Sequence, residues 1–202
     1  MKNSLLLLFV ILTFLSCQKD ETPPPPKDYT AFLANTTPSF RGAIGGMGFN
    51  WQFGGLFQMA MGYENGSGLC IPDDPERMLS FGLTSNDGGK NWFKLYTPVY
   101  DAGSKTDLER IFTIGKHKLG NFRKDFYLTM QKDGLTFQTS GAGIEHGIEI
   151  LKVTEIEHYL GPRLRVWFVI NAPFNNCNCT QGNTKLSDGL MVAEFMWYAM
   201  EK

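Results

Sequence analysis

The chain has no apolar run long enough to cross a membrane as a helix. The longest, Leu5 to Leu15, is interrupted by Thr13, and a spanning helix needs about 20 such residues. Lysine and arginine form no cluster: 19 basic residues are scattered among 20 acidic ones. Without a concentrated basic face, nucleic acid is not expected as a partner. Cysteine is scarce, with four in 202 residues. No second Cys pair and no H-E-x-x-H accompanies them, so the common zinc frameworks are missing. Past residue 28 there is no internal repeat and no second linker, which leaves one domain's worth of sequence.

What is present begins with an address. Lys2 supplies a positive start, Leu5 to Leu15 an apolar stretch, and Ser16 a small residue before Cys17. That is the order of a secretory signal peptide. Phe14-Leu15-Ser16-Cys17 resembles the cleavage site of bacterial lipoprotein signals, with Phe14 where an aliphatic residue is usual. The resemblance implies removal of residues 1–16 and lipidation of Cys17. Several acyl chains on that cysteine give a stable anchor where one would not. Gln18-Lys19-Asp20-Glu21 resembles the export signal of surface lipoproteins of the Bacteroidota, which implies an outer-membrane location facing the medium. Thr22 and four prolines, Pro23 to Pro26, follow. They favour an extended polyproline II spacer, so residues 17–27 read as a tether and 28–202 as the folded domain. Loss of Lys2 with the leader takes the net charge from −1 to about −2.

The folded part reads as all-β. Glycine is abundant, aromatics are frequent and apolar runs are short. Phe126–Lys132 and Leu135–Thr139 flank Asp133-Gly134, a type I′ turn pair. The register sets Met130 opposite Phe137 and Gln131 opposite Thr136, giving one apolar and one polar face. Leu164–Ile170 is apolar on both faces and reads as a central strand. Leu190–Tyr198 places Met191, Ala193, Phe195 and Trp197 on one face. Ile148–Ile156 loses its alternation near Leu151, which predicts a bulge. Thr106-Asp107-Leu108-Glu109 predicts a capped helix burying Leu108, Ile111 and Phe112 and stopping at Gly115. One short helix among eight or so antiparallel strands predicts a β-sandwich with a helical crossover.

Several motifs bear on chemistry. Ser85-Asn86-Asp87-Gly88-Gly89-Lys90-Asn91-Trp92 fits S-x-D-x-G-x-x-W and resembles the Asp box of sialidase-type propellers. It occurs once in a chain too short for such a propeller, and in those enzymes it lies away from the catalytic site. It therefore implies a rigid turn, in which Asp87 accepts backbone N–H groups and Trp92 folds back on the hairpin. Cys70 with Cys177 or Cys179 is the expected disulfide in an oxidising compartment, free buried thiols being the other reading. Asp73, Asp74 and Glu76 form an acidic loop. It is solvated, or holds Ca²⁺ through Asp73 and Asp74, or supplies carboxylates to a glycosidase. Ser140–Gly147 is a glycine-rich loop with Glu145 and His146 as potential bases. Glu155 and His158 fall on opposite faces of a strand and read as solvated.

Gly45 to Gly55, with Trp51 at its centre, resembles the opening hairpin of Bacteroidota lipoprotein domains, as does Asp188-Gly189-Leu190 entering the last strand. These likenesses imply a fold type and no activity. Trp51, Tyr63 and Tyr100 lie near turns and are candidate platforms for sugar rings, although the core is the usual fate of such residues. The expected function is non-catalytic binding of glycan or another extracellular ligand at the cell surface. A surface polysaccharide hydrolase and an accessory subunit of an outer-membrane uptake complex are the alternatives.

Overall fold

The Asp133-Gly134 turn has φ of 51° and 82°, as type I′ requires. It sets Met130 against Phe137 and Gln131 against Thr136. This hairpin sits inside a computed structural model that describes residues 27–65, 76–101, 104–139, 144–159, 161–176 and 184–196. Cys17, the export signal, the proline tether, Cys70, Asp73, Asp74, Cys177, Cys179 and Trp197 lie outside the described residues.

The elements run α1 (Thr30–Ala34), β1 (Ser39–Ile44), β2 (Met47–Gln52), β3 (Phe57–Asn65), β4 (Glu76–Ser85), β5 (Trp92–Tyr96), β6 (Tyr100–Asp101), α2 (Lys105–Ile111), β7 (Gly115–Leu119), β8 (Tyr127–Lys132), β9 (Leu135–Thr139), β10 (Ile144–Ile156), β11 (Arg163–Asn176) and β12 (Thr184–Met196). The fold is all-β and its ladders are antiparallel. The twelve strands among the described residues belong to one sheet, in the order β2-β1-β12-β11-β9-β8-β5-β4-β3, with β10 on β11, β7 on β10 and β6 on β4.

A sandwich of two separate sheets was expected; one sheet curling into a nearly closed barrel is found. The reason lies in the long strands. β11 pairs with β10 over residues 163–170 and with β9 over 174–176, so it passes from one wall to the next. Its ladder with β12 shifts register between Ile170 and Ala172. Opposite that shift, Asp188 is left-handed at φ 52°. A Cβ on Gly189 would lie 2.6 Å from the Ile170 carbonyl oxygen. Such bulges bend a strand and raise its twist, which lets a sheet turn a corner intact.

The core is rich in aromatic rings. Phe40, Phe81, Phe168, Phe174 and Phe195 are fully buried, and Met191 and Ala193 join them from β12 as the alternation predicts. β10 slips register between Ile150 and Lys152, so the predicted bulge is there. It turns Leu151 outward onto a second cluster of Phe32, Trp167 and Val192, where α1 lies across β11 and β12. Trp167 Nε1 donates to the Asn35 carbonyl at 2.8 Å.

Among the described residues two short helices occur where one was expected. α2 also starts earlier than Thr106. Ser104 is its N-cap, and Ser104 Oγ accepts from the Asp107 amide at 3.1 Å. Leu108, Ile111 and Phe112 are buried as predicted, and Phe112 packs on Phe195 with ring centres 5.0 Å apart. On the outer face of the sheet, Glu194 bridges Arg163 and Arg165 at 3.1 and 2.8 Å.

Candidate ligand-binding face

The strands that wall the barrel at β5, β8 and β9 alternate strictly. Phe93, Leu95, Leu128, Met130 and Phe137 point inward and are buried. The alternate residues, Trp92, Lys94 and Tyr96 on β5 and Tyr127, Thr129 and Gln131 on β8, are half-buried. Pairing sets them in rungs: Trp92 beside Gln131, Lys94 beside Thr129, Tyr96 beside Tyr127. Gln138 on β9 continues the Thr129 rung.

Phe122, on the turn before β8, completes an aromatic trio. Its ring stands at 86° to Tyr96 and 73° to Tyr127, with centres 5.4 and 5.3 Å away. Phe122 is 47% exposed, a large apolar ring left in water. Lys94 Nζ lies 4.7 Å from the centre of the Tyr96 ring. Neighbouring polar groups hold the rings in place. Trp92 Nε1 donates to Gln131 Oε1, and the Tyr127 hydroxyl donates to Gln138 Oε1, both at 3.0 Å. Rigid rings with polar tips, set among amide and hydroxyl side chains, suit a ligand with apolar faces and polar edges. The side chains named here are aromatic rings, amides, hydroxyls and one amine.

The Asp-box resemblance places its turn at one end of this face. Ser85 Oγ donates to the Asp87 carboxylate and accepts from the Asn91 amide at 3.1 Å. Gly88 and Gly89 are left-handed at φ 84° and 73°. The Ser85 hydrogen bond holds the Asp87 carboxyl below its ordinary pKa. Asn91 Oδ1 accepts from the Asp133 amide at 3.0 Å, which ties this turn to the β8–β9 turn. The motif is a brace for Trp92.

The three aromatics singled out by sequence are placed elsewhere. Trp51 is 6% exposed and is no platform. Phe57 and Phe93 stack on it at 5.8 and 6.2 Å, because the end of β2 curls over the core instead of standing free. Tyr100 is half-buried against the core, and burial raises its pKa. Tyr63 lies on β3 opposite Leu79, and its side chain is outside the described residues. The expected glycine-rich loop is shorter than 140–147, since β10 begins at Ile144. Glu145 is an exposed strand residue paired with Lys118 at 2.9 Å. Glu155 is exposed, and His158 is partly covered by Tyr159, with ring centres 4.3 Å apart. Among the described residues no three His, Cys, Asp or Glu side chains gather to hold a metal ion. Asp73 and Asp74 fall outside them.

Sequence reading missed Trp92, Tyr96, Phe122 and Tyr127 as a group. The signal was available in the two flanking strands: Trp-x-Lys-x-Tyr at 92–96 and Tyr-x-Thr-x-Gln at 127–131 both alternate against an apolar face. Comparison with protein-family models, with curated proteins and with solved structures finds no match to this chain.

Proposed function

We propose that this chain is a surface lipoprotein, anchored in the outer membrane through Cys17, whose barrel is a non-catalytic binding module for extracellular glycan. The aromatic trio of Tyr96, Phe122 and Tyr127 on the outer face of the sheet carries the reading. Sugar rings have apolar faces that rest on aromatic rings and hydroxyl edges that exchange hydrogen bonds with Gln, Thr and Lys side chains. The leader, the cysteine and the Gln18–Glu21 tract support the location by resemblance.

The test is thermal melting against a panel of oligosaccharides. A ligand at about 100 times its dissociation constant adds roughly 2.7 kcal/mol, a shift of about 5–10 °C for this size. Tyr96→Ala together with Tyr127→Ala should remove the shift while the unliganded chain still melts cooperatively. A shift that survives both substitutions would place the ligand elsewhere.

A further inference from the structure

Beside the aromatic face lies a cleft of about 370 Å³, within the size range of small-ligand sites. α2 contributes Arg110, β7 contributes His117 and Lys118, and the turn before β8 contributes Lys124; Val99 and Phe126 supply apolar lining. Three elements thus bring cationic or imidazole side chains to one concave surface.

The cations are open to exchange. Arg110 is paired with Asp107 at 2.8 Å and Lys118 with Glu145 at 2.9 Å, both in exposed pairs. Such pairs are weak in water and yield to an incoming anion. Lys124 has no ion-pair partner among the described residues. The one acid in the wall, Asp125, is 9% exposed. Its Oδ2 accepts from the Asn121 amide at 3.2 Å and from Asn121 Nδ2 at 2.8 Å, so it is engaged in shaping the turn. His117 Nε2 lies 2.7 Å from the Thr113 carbonyl and donates to it, which fixes the ring.

The turn itself is held from both sides. The Gly120 amide donates to the Phe126 carbonyl, the Phe126 amide to Lys118, and the Val99 amide to Arg123. Arg123 is left-handed at φ 74°, a conformation that persists where its surroundings enforce it. The same turn carries Phe122 on the aromatic face and Lys124 in the cleft, two residues and at most about 7 Å of chain apart.

We propose that the cleft receives the oxyanion substituent, carboxylate or sulfate, of an acidic polysaccharide whose sugar rings rest on Tyr96, Phe122 and Tyr127. The inference deepens the glycan reading above and rests on it.

The experiment titrates the full chain, purified in detergent, with oligogalacturonate and with its fully methyl-esterified counterpart, at low and at high salt. A sulfated galactan oligosaccharide and its desulfated form repeat the comparison and separate the two oxyanions. In at least one pair the acid should bind about tenfold tighter than its neutral partner, with the difference fading in salt. Lys124→Glu should bring the acid down to the level of the neutral form, Lys124→Gln part of the way, and neither should move the melting temperature. Equal binding of acid and neutral forms, lost in Tyr96→Ala, overturns the cleft and leaves the aromatic face standing. Acid binding lost in Lys124→Glu but indifferent to Tyr96→Ala overturns the shared site. No binding in either pair overturns the proposal, and silence across the wider oligosaccharide panel as well would remove the glycan reading beneath it.

Discussion

Trp51 and Phe93 stack with planes 11° apart and ring centres 6.2 Å apart, although six ladders separate their strands along the sheet. The contact spans the core from β2 to β5, and Phe57 of β3 stacks on the same Trp51 ring, which draws the two ends of the sheet together. Trp51→Ala should cost about 3–5 kcal/mol, read from urea unfolding. A cost under about 1 kcal/mol would mean that the ends are held without it.

Phe122 offers the reverse case. It is 47% exposed and packs edge-on against Tyr96 and Tyr127, so Phe122→Ser should cost only about 1–2 kcal/mol. Glycan binding should fall clearly in the same protein. Unchanged binding in a variant that still melts cooperatively would remove Phe122 from the site.

Glu194 is 4% exposed and bridges Arg163 and Arg165. Glu194→Ala leaves two guanidinium groups without their acid and should cost about 3–5 kcal/mol. Replacing all three by apolar residues of similar volume should recover most of that loss, as double and triple variants in urea will read out. A triple variant no better than Glu194→Ala would contradict this account.

Burial raises the Tyr100 pKa above its ordinary value of 10.0. Below that value both folded and unfolded chains carry the proton, and the contribution to stability is complete. As pH rises past it the unfolded chain ionises first, so stability falls until the folded group also titrates. Tyr100→Phe should flatten this alkaline decline in urea midpoints measured between about pH 9 and 11.5. An identical decline in the variant would assign it to other groups.

Asp87 works in the opposite sense. The Ser85 hydrogen bond depresses its pKa below 3.8. Its contribution is present above that value and is lost as pH falls through the folded value. Asp87→Asn should cost a little stability at neutral pH and flatten the decline below about pH 4, the two proteins converging in acid. The carboxylate is fully exposed, so the effect is small and needs paired melts to resolve.

The parts of the fold legible in sequence were those fixed by neighbours along the chain. Asp133-Gly134 dictates its turn, and the turn dictates the Met130–Phe137 register. The lost alternation at Leu151 is a bulge for the same local reason. What could not be read depends on how far strands continue. β11 runs on through Asn171-Ala172-Pro173 to Asn176, where the sequence turns polar, because a bulge carries it onto a second wall. That continuation turns a sandwich into a barrel. It also buries Trp51 and leaves Trp92, Tyr96 and Tyr127 facing out. Trp51 and Trp92 look alike in sequence, each in an alternating strand near glycines; curvature decides between them.

The short N-terminal helix has a directional consequence. α1 is fastened to the outside of β11 and β12, and Lys27 just before it is paired with Asp188 of β12. Phe40 of β1 meets Phe93 of β5 through the interior, and Phe195 of β12 meets Phe81 of β4. The outer surfaces of β12 and β5 therefore point in opposite directions. Lys27 and α1 thus lie on the back of the barrel, and the Tyr96–Phe122–Tyr127 surface faces the opposite way.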